Sequence, residues 1–127
     1  MKHIIKTSNA PAPIGPYSQA VKFDNLIFTS GQIAINPDNN ELTGGDVEEQ
    51  TRQVMTNLQA VLAAGEASFE SVLKTTIYLK SMDDFAKVNA IYNEYLGNSV
   101  PARSTVEVSR LPKDVLVEID CIATKMD

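Results

Sequence analysis

The chain has 127 residues, 43% of them hydrophobic, and a formal net charge of −5. That length supports one domain with a modest core, so residues 1–127 are predicted to form a single domain. A negative charge without a basic run gives nucleic-acid binding no electrostatic support. No apolar run approaches the roughly 18 residues that a membrane span needs.

The inventory of reactive side chains is short. Cys121 is the single cysteine, which rules out an internal disulfide, and His3 is the single histidine. Because His3 lies in the N-terminal tail, a catalytic Ser-His-Asp or Cys-His arrangement elsewhere in the chain is excluded, as is a His-clustered zinc site, and no metal or cofactor is expected. The chemistry is left to arginine, carboxylates, hydroxyls, backbone and water. The absence of a signal peptide and the buried position predicted for Cys121 favour a cytoplasmic protein.

The N-terminal part is predicted to be a loop followed by two strands. Residues 7–16 contain three prolines, which fix φ and remove backbone donors. Tyr17 follows, and it fits either an amphipathic strand edge or the wall of a pocket. The predicted strands are 18–23 and 26–35. Gly31 interrupts the second, which indicates either a bulge or a close approach to the backbone, by a ligand in the functional interpretation.

The middle of the chain predicts two helices with a strand between them. A calcium site at 36–41 is not expected, because Thr43 stands where a calcium loop requires glycine. The first helix begins after the cap Asp46 and ends near Gly65, which is predicted to be left-handed. Its apolar stripe is Val47, Thr51, Val54, Leu58, Val61 and Leu62.

Residues 73–80 alternate as a strand, and the second predicted helix runs from Phe85 to a closing Gly97. Asn89 lies on the buried stripe of this helix. A buried amide needs hydrogen-bond partners, so Asn89 either anchors a loop or frames a pocket.

Residues 100–108 and 115–123 both alternate with period two and are predicted to pair as an antiparallel hairpin. Matching their apolar faces places Arg103 on the same face as Glu118 and Asp120. Such a group is either the solvated face of a hairpin or a carboxylate-binding site. In the second case the arginine fork binds an acid and a glutamate handles a proton or a water.

The order of elements predicts an α+β fold with one sheet and two helices packed on one of its faces. The opposite face keeps apolar residues such as Leu116 and Ile122, which indicates that another subunit covers it.

Four blocks of this sequence resemble the Rid family, the reactive intermediate deaminases. They are residues 14–19 (IGPYSQ), 30–33 (SGQI), 101–104 with 106–108 (PARS and VEV), and 110–114 with 117–119 (RLPKD and VEI). The resemblance implies a chorismate-mutase-like fold and a homotrimer with clefts between subunits. It also implies hydrolysis of 2-imino acids, formed from enamines that pyridoxal-phosphate dehydratases release, to 2-oxo acids and ammonia.

The resemblance also assigns roles to residues. Arg103 would bind the substrate carboxylate and Glu118 would position the hydrolytic water, while Tyr17 shapes the pocket. Further contacts to substrate would come from Ser30, Gly31, Asn89 and Thr105. Thr105 is a departure, because the family often has cysteine there, and substrate preference is expected to depend on it. The alternative is a non-catalytic regulatory protein that senses small carboxylates in the same cleft.

Overall fold

The computed structural model describes all 127 residues. Its strands are β1 (Lys2–Ile5), β2 (Ala20–Phe23), β3 (Leu26–Thr29), β4 (Ile35–Asn36), β5 (Glu41–Leu42), β6 (Val72–Leu79), β7 (Ala102–Glu107) and β8 (Val117–Thr124). Its helices are α1 (Val47–Ala64) and α2 (Phe85–Leu96), with short 3₁₀ turns at Phe69–Ser71, Met82–Asp84 and Pro112–Asp114. None of the helices is both long and apolar enough to cross a membrane.

Six strands form one mixed sheet in the order β1-β2-β3-β8-β6-β7, in which only β6 and β7 are parallel. Helix α2 makes the crossover between those two strands, as parallel neighbours require. Alternate residues of the central strands pack with α1 and α2 in one core of 22 buried residues. The predicted α+β fold is therefore confirmed.

The predicted hairpin between β7 and β8 is wrong. Strand β6 lies between them, and it pairs with β7 in parallel and with β8 in antiparallel register. Arg103 stands opposite Thr75, and Glu118 stands opposite Tyr78. Because residues 75 and 78 of one strand point to opposite faces, Arg103 lies on the helix-covered face and Glu118 on the open face. A period-two pattern predicts a strand but not its neighbour.

The side chains of strand β7 also point to the opposite faces of the sheet from those predicted. Its register with β6 puts Arg103 and Thr105 on the helix side and Val106 on the open side. Val106 is exposed, because β7 is the last strand of the sheet and its open face has no cover within the chain. The alternation of apolar residues in β7 therefore could not predict which of its side chains face the helices.

The predicted ends of several elements shift in the structure. Asp46 caps α1 as predicted, its side chain accepting from the Glu49 backbone N–H. The left-handed residue after α1 is Glu66 rather than Gly65, whereas Gly97 ends α2 as predicted. The predicted strand 26–35 ends at Thr29, and beyond it only Gln32 bridges to β8.

Candidate functional site

Arg103 lies against one face of α2. Its Nη1 donates a hydrogen bond of 2.7 Å to Asn89 Oδ1. Its Cζ is 5.0 Å from the ring centroid of Tyr92 and 5.5 Å from that of Phe85, both within cation–π range. The Nε–Nη2 edge has no partner within the chain, and that edge matches the two oxygens of a carboxylate.

Glu118 lies on the other side of the sheet. Its carboxylate is half-buried and makes no hydrogen bond or ion pair within the chain. Burial raises the pKa of the Glu118 carboxyl, and the nearby charge of Asp120 raises it further. The sequence predicted a cation beside this group, but Arg103 is on the opposite face. A desolvated carboxylate with a raised pKa is a stronger base than an exposed one.

Asp120 and Tyr78 continue the polar part of the open face. The Tyr78 hydroxyl donates to Asp120 Oδ2 at 3.1 Å. Burial raises the pKa of Asp120, and the hydrogen bond from Tyr78 opposes that shift. Asp120 thus has a partner that Glu118 lacks, which makes Glu118 the freer carboxylate of the two.

A cavity of about 510 Å³ opens beside Glu118. Tyr17, Ser30 and Gly31 line it together with Glu118. Lys113 also lines it, as does the proline-containing loop of residues 7–16. A side chain at position 31 would collide with the Glu118 carboxylate. Gly31 therefore allows that carboxylate to lie close to the backbone of residue 31. This half of the predicted site is brought together within one chain.

The other predicted residues lie elsewhere. Arg103 and Asn89 line a separate, smaller cleft of about 200 Å³ at the end of α2. Thr105 lines neither cavity, and its Oγ1 is buried without a hydrogen-bond partner. The predicted site residues therefore fall into two groups on opposite faces of the sheet.

Gln19 is an organising residue that the sequence analysis missed. Its side chain is 2% exposed, and its Nε2 lies within hydrogen-bond distance of the carbonyl oxygens of Thr7, Ala10 and Pro11. Its Oε1 accepts from the Thr7 backbone N–H at 2.7 Å. These bonds hold the proline-containing loop over the cavity. A glutamine beginning a predicted strand gives no signal of such a role.

Metal and thiol chemistry have no visible site. No group of three or more His, Cys, Asp or Glu side chains is arranged to hold a metal ion. Cys121 is buried, as predicted, and burial raises the pKa of its thiol to about 12. It therefore remains protonated and unreactive at neutral pH.

The fold and the site define a small α+β protein: a mixed sheet has two helices on one face and the Glu118 cavity on the other, and Arg103 projects from its edge strand β7. Residues 7–125 match the family model described as Endoribonuclease L-PSP. A RutC family protein of Pyrococcus horikoshii is 58% identical over 98% of this chain and 99% of its own length. The 2-iminobutanoate/2-iminopropanoate deaminase of Mus musculus is 43% identical over 98% of this chain and 93% of its own.

Among solved structures, a protein of Thermotoga maritima described as a putative endoribonuclease superimposes with a TM-score of 0.97 and 48% identity. The match covers 100% of both chains. The chain therefore belongs to the RutC/YjgF/Rid family, and the resemblance seen in the four sequence blocks is confirmed.

Proposed function

We propose that this protein hydrolyses 2-imino acids, such as 2-iminobutanoate and 2-iminopropanoate, to 2-oxo acids and ammonia. The observation that carries the proposal is the state of the Glu118 carboxylate. It is half-buried, has a raised pKa, makes no hydrogen bond or ion pair within the chain, and faces a cavity. A base held in this way is suited to accept a proton from water. The name of the mouse relative supports the same reaction.

The proposed reaction needs orientation and one base. The Nε–Nη2 edge of Arg103 binds the substrate carboxylate and presents C2 of the protonated imine. Water attacks C2 while Glu118 takes one of its protons. Glu118 then returns that proton to the amino nitrogen, the C–N bond breaks to release ammonia, and the ammonia takes up the hydroxyl proton as the C=O bond of the 2-oxo acid forms. Iminium and water thus give the 2-oxo acid and an ammonium ion.

A second subunit must complete this site, because Arg103 and Glu118 lie on opposite faces of one chain. We propose a homotrimer in which the open face of one subunit meets the edge strand β7 of the next. Two features support it: β7 ends the sheet, and the open face leaves large apolar side chains exposed. These exposed side chains are Ile4, Phe23, Leu26, Phe28 and Val106.

The remaining predicted residues take supporting roles in this proposal. Tyr17 and Ser30 border the substrate on the Glu118 side, with the Gly31 backbone beneath it. Asn89 steadies Arg103 through its hydrogen bond. Thr105 lies on the same side of β7 as Arg103 and would contribute its backbone, so the missing thiol does not prevent the reaction.

The deciding experiment couples the protein to a threonine dehydratase and times the appearance of 2-oxobutanoate. We expect acceleration over the spontaneous reaction, lost in Arg103→Ala and Glu118→Gln. Arg52→Ala and Glu70→Gln serve as matched controls, because both residues are exposed on other parts of the surface.

Full activity of either site variant contradicts the assigned roles. Binding of 2-oxobutanoate without any acceleration contradicts the enzymatic proposal and favours a carboxylate sensor. Ribonuclease activity, suggested by the family description, has no support from the net charge of −5, because RNA backbone binding depends on clustered Lys and Arg.

A further inference from the structure

We propose that Tyr92, held by the buried hydroxyl of Thr75, positions the Arg103 guanidinium for two-point binding of a carboxylate. This inference rests on the proposed function and adds two positioning residues to it. Neither residue belongs to the candidate set predicted from the sequence.

Three side chains of α2 surround the Arg103 guanidinium. Phe85, Asn89 and Tyr92 occupy positions i, i+4 and i+7 of α2 and therefore share one face of the helix. The two rings lie 5.5 and 5.0 Å from Arg103 Cζ, and Asn89 accepts from Nη1. This face restrains the guanidinium on the Nη1 side and leaves the Nε–Nη2 edge unpaired.

Tyr92 is held in place by a hydrogen bond with Thr75. Its hydroxyl is 2.8 Å from Thr75 Oγ1, and both side chains are buried, at 6% and 0% exposure. Thr75 is also the residue directly opposite Arg103 in the β6–β7 register. One strand position therefore fixes both the backbone from which Arg103 projects and the ring against which its side chain lies.

A restrained guanidinium binds a carboxylate at a lower entropic cost. Arginine has a long side chain with many rotamers, and ordering it on binding costs free energy. A guanidinium already restrained by two rings and an amide loses less freedom when a carboxylate arrives. Burial raises the pKa of Tyr92, so the phenol stays neutral and its hydroxyl serves as a hydrogen-bonding group rather than as an acid.

The test measures binding of 2-oxobutanoate, an unreactive carboxylate, by calorimetry, together with kcat and KM for imine hydrolysis. We expect Tyr92→Leu to weaken binding and raise KM by about tenfold, with kcat changed by less than about twofold. Thr75→Val should weaken binding by about threefold, and Thr75→Ser should restore it. Tyr95→Leu, on the same helix but edge-on to Phe69, is the matched control and should bind normally.

The double variant Arg103→Lys with Tyr92→Leu separates positioning from general damage. If Tyr92 acts through the arginine fork, Tyr92→Leu adds little further loss once the fork is gone. Additive losses, or normal binding in Tyr92→Leu and Thr75→Val, would overturn the inference. Thr75→Val conserves shape, so it remains informative where Tyr92→Leu fails to fold. Binding is measured without turnover, so the result stands apart from whether the protein hydrolyses imines.

Discussion

Glu118 and Gly31 occupy one small space, and the absence of a side chain at position 31 lets the carboxylate lie there. Gly31 does not have a positive φ, so its backbone would tolerate alanine without strain. An alanine side chain would displace the flexible end of Glu118, the carboxylate proposed to accept a proton from the hydrolytic water. Position 31 therefore affects the site more than the fold.

We expect Gly31→Ala to lower kcat at least about tenfold while the melting temperature changes little, because only a side-chain end must move. Steady-state kinetics and thermal melting measure the two effects. Gly44→Ala is the control, since nothing lies within 4 Å of the added atom and the φ of Gly44 is not positive. Normal kinetics in Gly31→Ala would contradict the assigned place of Glu118.

Asp120 contributes to the raised pKa of Glu118. The charge of Asp120 raises the pKa of Glu118, in addition to the larger effect of burial. The reaction needs ionised Glu118, so kcat/KM should fall as the pH drops through that pKa. Asp120→Asn removes the charge but keeps an oxygen for the Tyr78 hydroxyl, and the acid limb of the pH profile should move to lower pH. An unmoved or upward-shifted limb would refute this coupling.

At the scale of elements, the proline-containing loop depends on one buried amide. Gln19→Ala removes four hydrogen-bonding contacts and leaves buried backbone groups without partners. We expect a loss of about 2–3 kcal/mol in the free energy of unfolding and faster hydrogen exchange at residues 7–12. Asn9→Ala is the control, because the exposed Asn9 side chain in the same loop makes no hydrogen bond. Equal stability of both variants would show that the loop is held otherwise.

The segment that follows α2 contains a strained backbone position. Val100 has a φ of 43°, a conformation that β-branched residues rarely adopt, and its side chain is 79% exposed. Val100→Gly relieves that strain without losing buried area, and the gain of roughly 1–3 kcal/mol exceeds the extra chain entropy of glycine. We expect the melting temperature to rise by about 3 °C. Asn98→Gly, with an ordinary φ, should lower it; a fall in Val100→Gly would disprove the strain.

At the scale of the whole molecule, subunit mixing tests where each site is built. Arg103→Ala and Glu118→Gln subunits are each expected to be inactive alone. If every site takes its arginine from one subunit and its glutamate from the next, trimers reassembled from an equal mixture should regain about one quarter of the wild-type sites. Native mass spectrometry would confirm the mixed trimers. No recovery in confirmed mixed trimers would contradict a site that is shared between subunits.

Much of the fold could be read from short-range patterns. The α1 stripe with its Asp46 cap, the alternation in β6 and β8, and the buried Cys121 all follow from periodicities that extend over a few residues. The candidate residues Tyr17, Ser30, Gly31 and Glu118 do meet in one cavity. The roles of Gln19 and Tyr92 could not be predicted from the sequence, because they depend on partners that folding brings near and not on neighbours in the sequence.

The sequence by itself determined the kinds of element, the absence of histidine-based chemistry and the family motifs. These depend on composition and on local spacing. Only the tertiary structure decided that β6 separates β7 from β8, and so placed Arg103 and Glu118 on opposite faces. The physical reason is that alternation reports which side chains share a face of their own strand. The neighbour of that strand depends on the crossover through α2, which no local pattern records.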